Sequence, residues 1–463
     1  MASTDTLPDD VLLPIFNFYV YHEESDTESE TAWQTLVHVC HRWRIIVFGS
    51  PRYLNLQLVC TPRTRARDML DVWPAFPLNI WCDSTGTLGS VDNVIAALER
   101  DDRVCKIIVV NVRRLVFETL FLAMQQPFSE LTHLTLWSTD EMVPVVPDSF
   151  LGGSVPRLEY LRLDGIRFPG LPNLLLSATH LATLYLENIP HSGYIAPDVM
   201  VVALSTLTRL ETLLLTFKSP RSYPHLAGRC PPPSTRSVLP VFTLLRFKGA
   251  SEYLEDLVAC IDTPQLFILD IAFFNDIIFD TPQLVQFISR IPKSRTLETA
   301  HIAIRDDGAR VYFSSPMSDY GELNVGILCK GLDWQLSSLG QVCASCLPLF
   351  STLEDLYIRE YSRSQLDRKD GFENGLWLEL LQPFTTIKNL YLAEKVVPLI
   401  VPALQELVES RTTEILPTLQ NIYSGGPESS GPVQEGIKQF VAARRVAGHP
   451  IAASHWSPEQ DKI

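Results

Sequence analysis

The sequence contains no long hydrophobic run. Its longest apolar stretches fall short of the ~20 residues that a membrane-spanning helix needs, although 46% of the residues are hydrophobic. The start of the chain carries acidic residues at Asp5 and Asp9 and has no basic stretch ahead of an apolar core. We therefore expect neither a membrane helix nor a secretory signal peptide.

Recognisable catalytic motifs are also missing. No Gly-rich loop carries the lysine that cradles phosphate, and no serine stands in the context of a nucleophile elbow. Cys343 and Cys346 have the spacing of half a zinc site, but the nearest other thiol is Cys329 and the nearest histidine is His301. A structural zinc site needs four ligands, so buried thiols on an apolar helix are the simpler explanation. We expect no enzymatic activity, no metal and no cofactor.

Positive charge is scarce, with 38 Lys and Arg against 53 Asp and Glu and a formal net charge of -15. On average such a chain repels nucleic acids and anionic membranes, so we expect neither as a partner, although a local basic patch would be an exception. The nine cysteines are odd in number and scattered through apolar segments. This pattern is typical of reduced, buried thiols in the cytoplasm or nucleus.

Two amphipathic segments open the chain. Pro8 and the carboxylates after it are typical of a helix entry, and residues 22–30 form an acidic stretch that indicates a solvated loop. The residues from Trp33 to Arg44 place apolar side chains on two neighbouring helical rows, which predicts a single longer second helix. Two apolar rows are more than a small hairpin can cover, so we expect this segment to dock against another part of the protein.

An ordered set of residues in these segments carries a family resemblance: Leu7-Pro8, Ile15-Phe16 and Val39-Cys40-His41-Arg42-Trp43-Arg44, continued by Phe48-Gly49-Ser50-Pro51-Arg52-Tyr53-Leu54-Asn55-Leu56. The first 60 or so residues resemble an F-box, and the continuation is similar to fungal F-box proteins with leucine-rich repeats. In that family the F-box binds a Skp-type adaptor, which joins it to a cullin-RING ubiquitin ligase of the SCF type. The resemblance therefore implies a Skp-type adaptor, and through it a cullin, as partners.

We expect apolar and aromatic anchors to dominate the adaptor contact. The candidates are Leu7, Pro8, Ile15, Phe16, Leu36, Val39, Cys40 and Trp43. Some of these side chains will pack inside the helical unit, and the sequence does not separate the two groups. The alternative is an ordinary helical hairpin that caps whatever follows it.

A short motif with apolar residues at its first, fourth and sixth positions recurs along the rest of the chain. Clear copies start at Leu131, Leu158, Leu181, Leu210, Leu353 and Ile387, and looser ones start at Val104, Phe242, Leu266, Leu297 and Leu419. Starts from residue 131 to 297 are 23 to 32 residues apart, and residues 323–328 lie where a degenerate copy belongs in the gap that follows.

Each copy predicts a strand with alternate side chains inward, followed by a return segment, such as residues 173–178 or 282–288, that looks helical. This pattern resembles irregular leucine-rich repeats. The predicted fold class is α/β: a small all-α F-box, then an irregular leucine-rich-repeat-like solenoid with parallel strands inside and helices outside. A single α/β domain with regularly spaced strands is the alternative.

The predicted domains are an F-box in residues 1–60, a connector and N-terminal cap in 61–103, a repeat array in 104–423, and a flexible break with a capping helix in 424–463. Two insertions interrupt the array, one of them a mixed polar segment at residues 305–320. The other lies within residues 212–251, which contain no acidic residue. We expect its basic side chains to bind an acidic or phosphorylated target, with a solvated loop as the alternative; they are Lys218, Arg221, Arg229 and Arg236.

Two functions fit these observations. The first is a substrate-recognition subunit, in which the F-box binds the adaptor and the repeats hold a protein target near the ligase. The second is a non-enzymatic interaction scaffold of leucine-rich repeats without a ligase role. Capture of a Skp-type adaptor distinguishes them.

Overall fold

A computed structural model describes residues 7–21, 32–83, 91–140, 144–219, 236–274, 281–291, 297–315, 322–346, 350, 352–361, 374–410, 415–425 and 432–456. The chain divides into two compact units, Met1–Ile195 and Ala196–Ile463. This division does not test the domain boundaries predicted at residues 60, 103 and 423, which stay predictions. The two units are described one at a time below.

Unit 1 begins with three helices and continues as alternating strands and helices. Its elements are α1 (Asp9–Tyr21), α2 (Ala32–Val39), α3 (His41–Gly49), β1 (Leu58–Cys60), α4 (Ala66–Val72), β2 (Leu78–Asp83), α5 (Val91–Leu98), β3 (Val104–Val110), α6 (Arg114–Ala123), β4 (His133–Trp137), β5 (Tyr160–Asp164), α7 (Leu171–Ser177) and β6 (Thr183–Ile189).

The prediction of one continuous helix from Trp33 to Arg44 is wrong. Cys40 is extended, with φ −156° and ψ 169°, so it ends α2 and caps the start of α3. Its sulfur accepts a hydrogen bond from the backbone N–H of Trp43 at 3.5 Å. A helix cannot pass through an extended residue, so the two apolar rows divide between two short helices.

The helical segment docks on the start of the repeats, as expected. The Trp33 ring lies within 5.2 Å of Trp73 and 5.5 Å of Phe76, measured between ring centroids, in edge-to-face geometry. Its indole N–H donates to the backbone carbonyl of Gln57 at 3.0 Å. A fully buried tryptophan whose N–H is satisfied anchors α2 firmly to the chain that follows it.

The six strands of unit 1 lie side by side in chain order and are all parallel. The predicted copies stack in register, because Ile107 lies opposite Leu134, Leu134 opposite Leu161, and Leu161 opposite Leu184. All four side chains are fully buried. The predicted strand–helix repeat is therefore confirmed here, and β1 and β2 precede the first predicted strand.

Unit 2 continues the alternation of strands and helices. Its elements are α8 (Pro197–Ser205), β7 (Thr212–Phe217), β8 (Ser237–Val238), β9 (Leu244–Gly249), α9 (Ser251–Cys260), β10 (Ile261–Asp262), β11 (Ile268–Phe274), α10 (Pro282–Ser289), β12 (Thr299–Arg305), β13 (Gly308–Ser314), β14 (Leu323–Leu328), α11 (Leu332–Cys346), β15 (Asp355–Glu360), α12 (Asn374–Leu381), β16 (Asn389–Leu392), α13 (Val397–Ser410), β17 (Asn421–Ser424), α14 (Pro432–Val446) and β18 (Ala452–His455).

The main strands of unit 2 follow the order β7-β9-β11-β14-β13-β12-β15-β16-β17-β18. The degenerate copy predicted at residues 323–328 is a strand, β14, and it pairs in parallel with β11. The segment predicted as a polar insertion at residues 305–320 instead contains β13, antiparallel to both β12 and β14. The chain reverses between Arg305 and Gly308, and both β14 and β13 lie between β11 and β12, so β12 is two steps further along the sheet than in a simple repeat.

Helical return segments lie where the sequence predicts them, at α7 and α10. Buried Glu255 of α9 caps α10 by accepting the backbone N–H groups of Gln283 at 2.9 Å and Leu284 at 2.7 Å. A helix follows residue 432 as predicted, but it does not end the array. Beyond it, β18 pairs in parallel with β17 and forms the last described strand of the sheet.

Candidate functional site

Helix α1 carries two apolar rows, one buried and one exposed. Leu12, Phe16 and Val20 recur every four residues and are buried. The neighbouring row contains Val11 together with Ile15, which is 48% exposed, and Phe18, which is 65% exposed. Residues spaced i, i+4 and i+7 lie on one helix face, so Val11, Ile15 and Phe18 form a stripe on the surface, here called the α1 stripe.

Contacts with α3 fix the orientation of α1. The ring centroids of Phe16 and Trp43 lie 4.6 Å apart. At the start of the helix, the Arg42 guanidinium pairs with the Asp9 carboxylate at 2.6 Å and donates to the backbone carbonyl of Leu7 at 2.5 Å. Because α1 is held at both places, the α1 stripe is presented on a fixed surface.

The eight predicted adaptor residues separate into three groups. Phe16 and Leu36 are buried in the helical packing, while Pro8, Ile15 and Val39 are exposed, with Val39 at 56%. The half-buried members are Leu7, Cys40 and Trp43. Burial alone does not test binding to an adaptor, so adaptor binding by all eight residues stays a prediction.

Three exposed apolar residues escaped the sequence reasoning: Val11, Phe18 and, on α3, Ile45. The spacing of Val11, Ile15 and Phe18 on one helix face was a usable signal. It was hidden because Leu12, Phe16 and Val20 form an equally good apolar row one residue along. Only tertiary packing decides which of two adjacent rows is covered.

A cleft of about 280 Å³ lies in unit 1 between the helical segment and the first strands. Its lining includes Trp33 on the helical side and Asn79, Cys105, Lys106 and His133 on the strand side. Burial, and secondarily the charge of Lys106, lowers the pKa of His133. The lining offers amide, thiol and imidazole groups for hydrogen bonding.

The predicted basic target site is described only in part, because Arg221 and Arg229 lie outside the described residues. Lys218 directly follows β7. The Arg236 side chain donates from Nε to the backbone carbonyl of Ala259 at 3.2 Å. Arg236 thus has a structural contact within unit 2, and target binding by these four residues remains a prediction.

The paired thiols of α11 are both buried, and burial raises the pKa of Cys346 to about 12. Within the part of the chain that the structure describes, no group of three or more His, Cys, Asp or Glu side chains is arranged to hold a metal ion. Over the same residues, no helix has the length and apolar character needed to cross a membrane.

Comparison with known proteins adds little to this geometry. No protein-family profile matches the chain, and no curated protein matches it. Among solved structures, the chain is similar to the leucine-rich repeat-containing protein LegL7 from Legionella pneumophila, with 13% identity over 83% of this chain and 97% of that chain and a TM-score of 0.26. A TM-score this low does not support assigning the fold class from that similarity. The fold class therefore rests on the strand register of this chain, which is that of an α/β strand–helix repeat protein with a helical N-terminal segment.

Proposed function

We propose that this chain is a substrate-recognition subunit of an SCF-type ubiquitin ligase. Its N-terminal helices bind a Skp-type adaptor, which links it to a cullin, and its strand–helix repeats bind a protein target. The chain forms and breaks no bonds and needs no cofactor. It supplies proximity, which raises the effective concentration of the target at the ligase.

The observation that supports this proposal is the exposed α1 stripe. It lies on the first helix of a segment whose residues resemble an F-box, and apolar side chains clustered at a helix surface are typical of protein interfaces. Full burial of Val11, Ile15 and Phe18 by a partner would contribute on the order of 5 kcal/mol. Micromolar binding corresponds to about 8 kcal/mol, so further contacts from residues such as Val39 must add to this contribution.

Localisation in the cytoplasm or nucleus belongs to the same proposal. None of the eight cysteines in the described part of the chain forms a disulfide, which suits a reducing compartment. Burial raises the pKa of Cys60 to about 12 and that of Cys82 to about 11, so these thiols resist oxidation.

Co-purification of the full-length protein with a Skp-type adaptor tests the proposal. The Ile15→Asp and Phe18→Asp variants place a charge in the apolar contact, and we expect each to weaken adaptor binding by about 100-fold or more. Leu122→Asp is the matched control, because Leu122 is a 72% exposed apolar residue on α6. This control should bind the adaptor as the unmodified protein does.

Two results would contradict the proposal. One is a folded full-length protein that captures no Skp-type adaptor. The other is undiminished capture by both Ile15→Asp and Phe18→Asp. Either result would favour the alternative, a repeat scaffold without a ligase role.

A further inference from the structure

The strands of unit 2 have one face against the helices and one face away from them, here called the open face. On the helix side, strand residues such as Leu245, Ile271 and Leu356 are fully buried. On the open face, alternate strand positions are mostly half-buried. The open face is where this sheet can meet a partner.

The charge of the open face is opposite to that of the chain. Its strand positions carry more cations than anions: Arg246, Lys248, Arg305, Arg310 and Arg359 against Asp270 and Asp355. Asp270 pairs with Arg246 at 2.8 Å and lies 3.9 Å from Arg310. A surplus of positive charge therefore remains on this face of a protein whose formal net charge is -15.

Three of these cations lie in one row across the strands, separated by small residues. In register, Lys248 lies opposite Ala272, Ala272 opposite Gly326, and Gly326 opposite Arg310. The row continues from Arg310 through Ala303 to Arg359. Gly326 leaves room for the Arg310 side chain, which lies over it. These residues are here called the cation row, because positive charge recurs at intervals along them.

The next row is a stack of flat rings. Tyr312 stacks on His301 at 4.6 Å, His301 on Tyr357 at 4.6 Å, Tyr357 on Tyr391 at 4.1 Å, and Tyr391 on Tyr423 at 4.5 Å between centroids, all within 12° of parallel. Burial, and secondarily the charge of Arg359, lowers the pKa of His301 to about 4. The stack is therefore uncharged near neutral pH and lies beside the cation row.

Ring contacts also hold the end of the cation row in place. The Arg359 guanidinium lies 5.7 Å from the Tyr357 ring centroid and 5.3 Å from that of Trp456. Trp456 in turn packs on Tyr391 at 5.7 Å. A cation held over aromatic rings is already partly stripped of water, so less ordering is required when an anion binds it.

From this arrangement we propose that the open face of unit 2 docks an extended, acidic polypeptide segment that runs across the strands along the cation row. Strands are about 4.8 Å apart, so Lys248 and Arg310, three strand steps apart, are separated by about 14 Å. Arg310 and Arg359, two steps apart, are separated by about 10 Å. An extended chain advances about 3.4 Å per residue, so its carboxylates should recur about every three to four residues.

A polypeptide fits this face better than a nucleic acid does. The negative charge of the whole chain opposes the approach of a polymer that carries a phosphate at every nucleotide, and Asp270 lies beside the cation row. Carboxylates every few residues can pair with the cations individually. The proposal deepens the target-binding role proposed above by naming the chemistry of the target.

Fluorescence anisotropy with the full-length protein tests this inference. The probe is a labelled peptide of about ten residues with glutamate about every three or four positions, and its comparison partners are the same peptide with lysine for glutamate and a labelled oligothymidylate. We expect the glutamate peptide to bind best and its affinity to fall as salt is raised. Lys248→Glu should weaken binding by about tenfold or more.

Lys438→Glu is the matched control, because it makes the same charge change at an exposed position of α14 and should alter affinity less than about twofold. If Lys248→Glu unfolds the protein, Lys248→Gln removes the charge without adding one, and a loss of about threefold or more is then expected. Equal binding of the lysine peptide, undiminished binding by the Lys248 variants, or tighter binding of oligothymidylate would overturn the inference. Ile15→Asp should bind the peptide normally, so failure of adaptor capture and failure of peptide binding are separate outcomes.

Discussion

Replacing His301 by phenylalanine should change how the stability of the protein depends on pH. His301 is buried between the rings of Tyr312 and Tyr357, stacked at 4.6 Å on each. A phenylalanine ring can occupy the same stack but cannot ionise. The substitution therefore removes one titrating group with little change in packing.

The size of the effect follows from the pKa of His301. Burial first, and the nearby charge of Arg359 second, lowers it from 6.5 to about 4. Because the folded state holds the proton more weakly, the unfolded state binds more protons below pH 6.5, and protonation favours unfolding. This contribution to the free energy of unfolding is complete above pH 6.5 and is lost as pH falls towards 4. A difference of about 2.5 pKa units corresponds to about 3 kcal/mol.

Urea unfolding monitored by circular dichroism at several pH values between 7 and 4 measures this difference. The unmodified protein should lose about 3 kcal/mol more stability over that range than His301→Phe does, at an unchanged dependence on urea. Other titrating groups are common to both proteins and cancel in the comparison. Parallel stability curves for the two proteins would refute the assignment of a neutral, buried His301.

Two further substitutions test contacts between neighbouring repeats. Glu255→Ala removes the acceptor of the backbone N–H groups of Gln283 and Leu284 and should lower the free energy of unfolding by about 2–5 kcal/mol. Glu255→Gln keeps one acceptor oxygen, so it should lower the free energy of unfolding by less. Equal losses for the two variants in urea unfolding would contradict this reasoning. Gly165→Ala forces an alanine to φ +67°, and its Cβ would clash with the carbonyl oxygen of Ser138. This substitution should lower the melting temperature by several degrees, for a cost of about 1–3 kcal/mol. An unchanged melting temperature would show that the turn relaxes freely.

The repeat was predictable because its signal is local. Apolar residues at alternating positions point to one face of a strand wherever they occur, and the copies beginning at Leu131, Leu158 and Leu181 all became buried strand positions in matching register. Strand order was not predictable in the same way. The hairpin from β12 to β13 changes which strands are neighbours, and that depends on hydrogen bonds between residues far apart in sequence.

In the N-terminal segment, too, the local structure was predictable from the sequence and the packing was not. Its helices and its apolar character follow from residue spacing, but the break at Cys40 and the choice of Val11, Ile15 and Phe18 as the exposed row do not. Both apolar rows of α1 satisfy the helical period equally well. Packing of Phe16 on Trp43 covers one row and leaves the other on the surface.

By itself, the sequence determined that this is an α/β chain of repeated strands and helices that follow a helical N-terminal segment. The reason is that the spacing of apolar residues, which sets each strand and helix, is local. Only the tertiary structure decided where positive charge gathers. Lys248, Arg310 and Arg359 are scattered over more than a hundred residues of an acidic chain, and they share a row because strand register brings distant residues side by side. Register is set by the packing of whole strands, and no short stretch of sequence contains it.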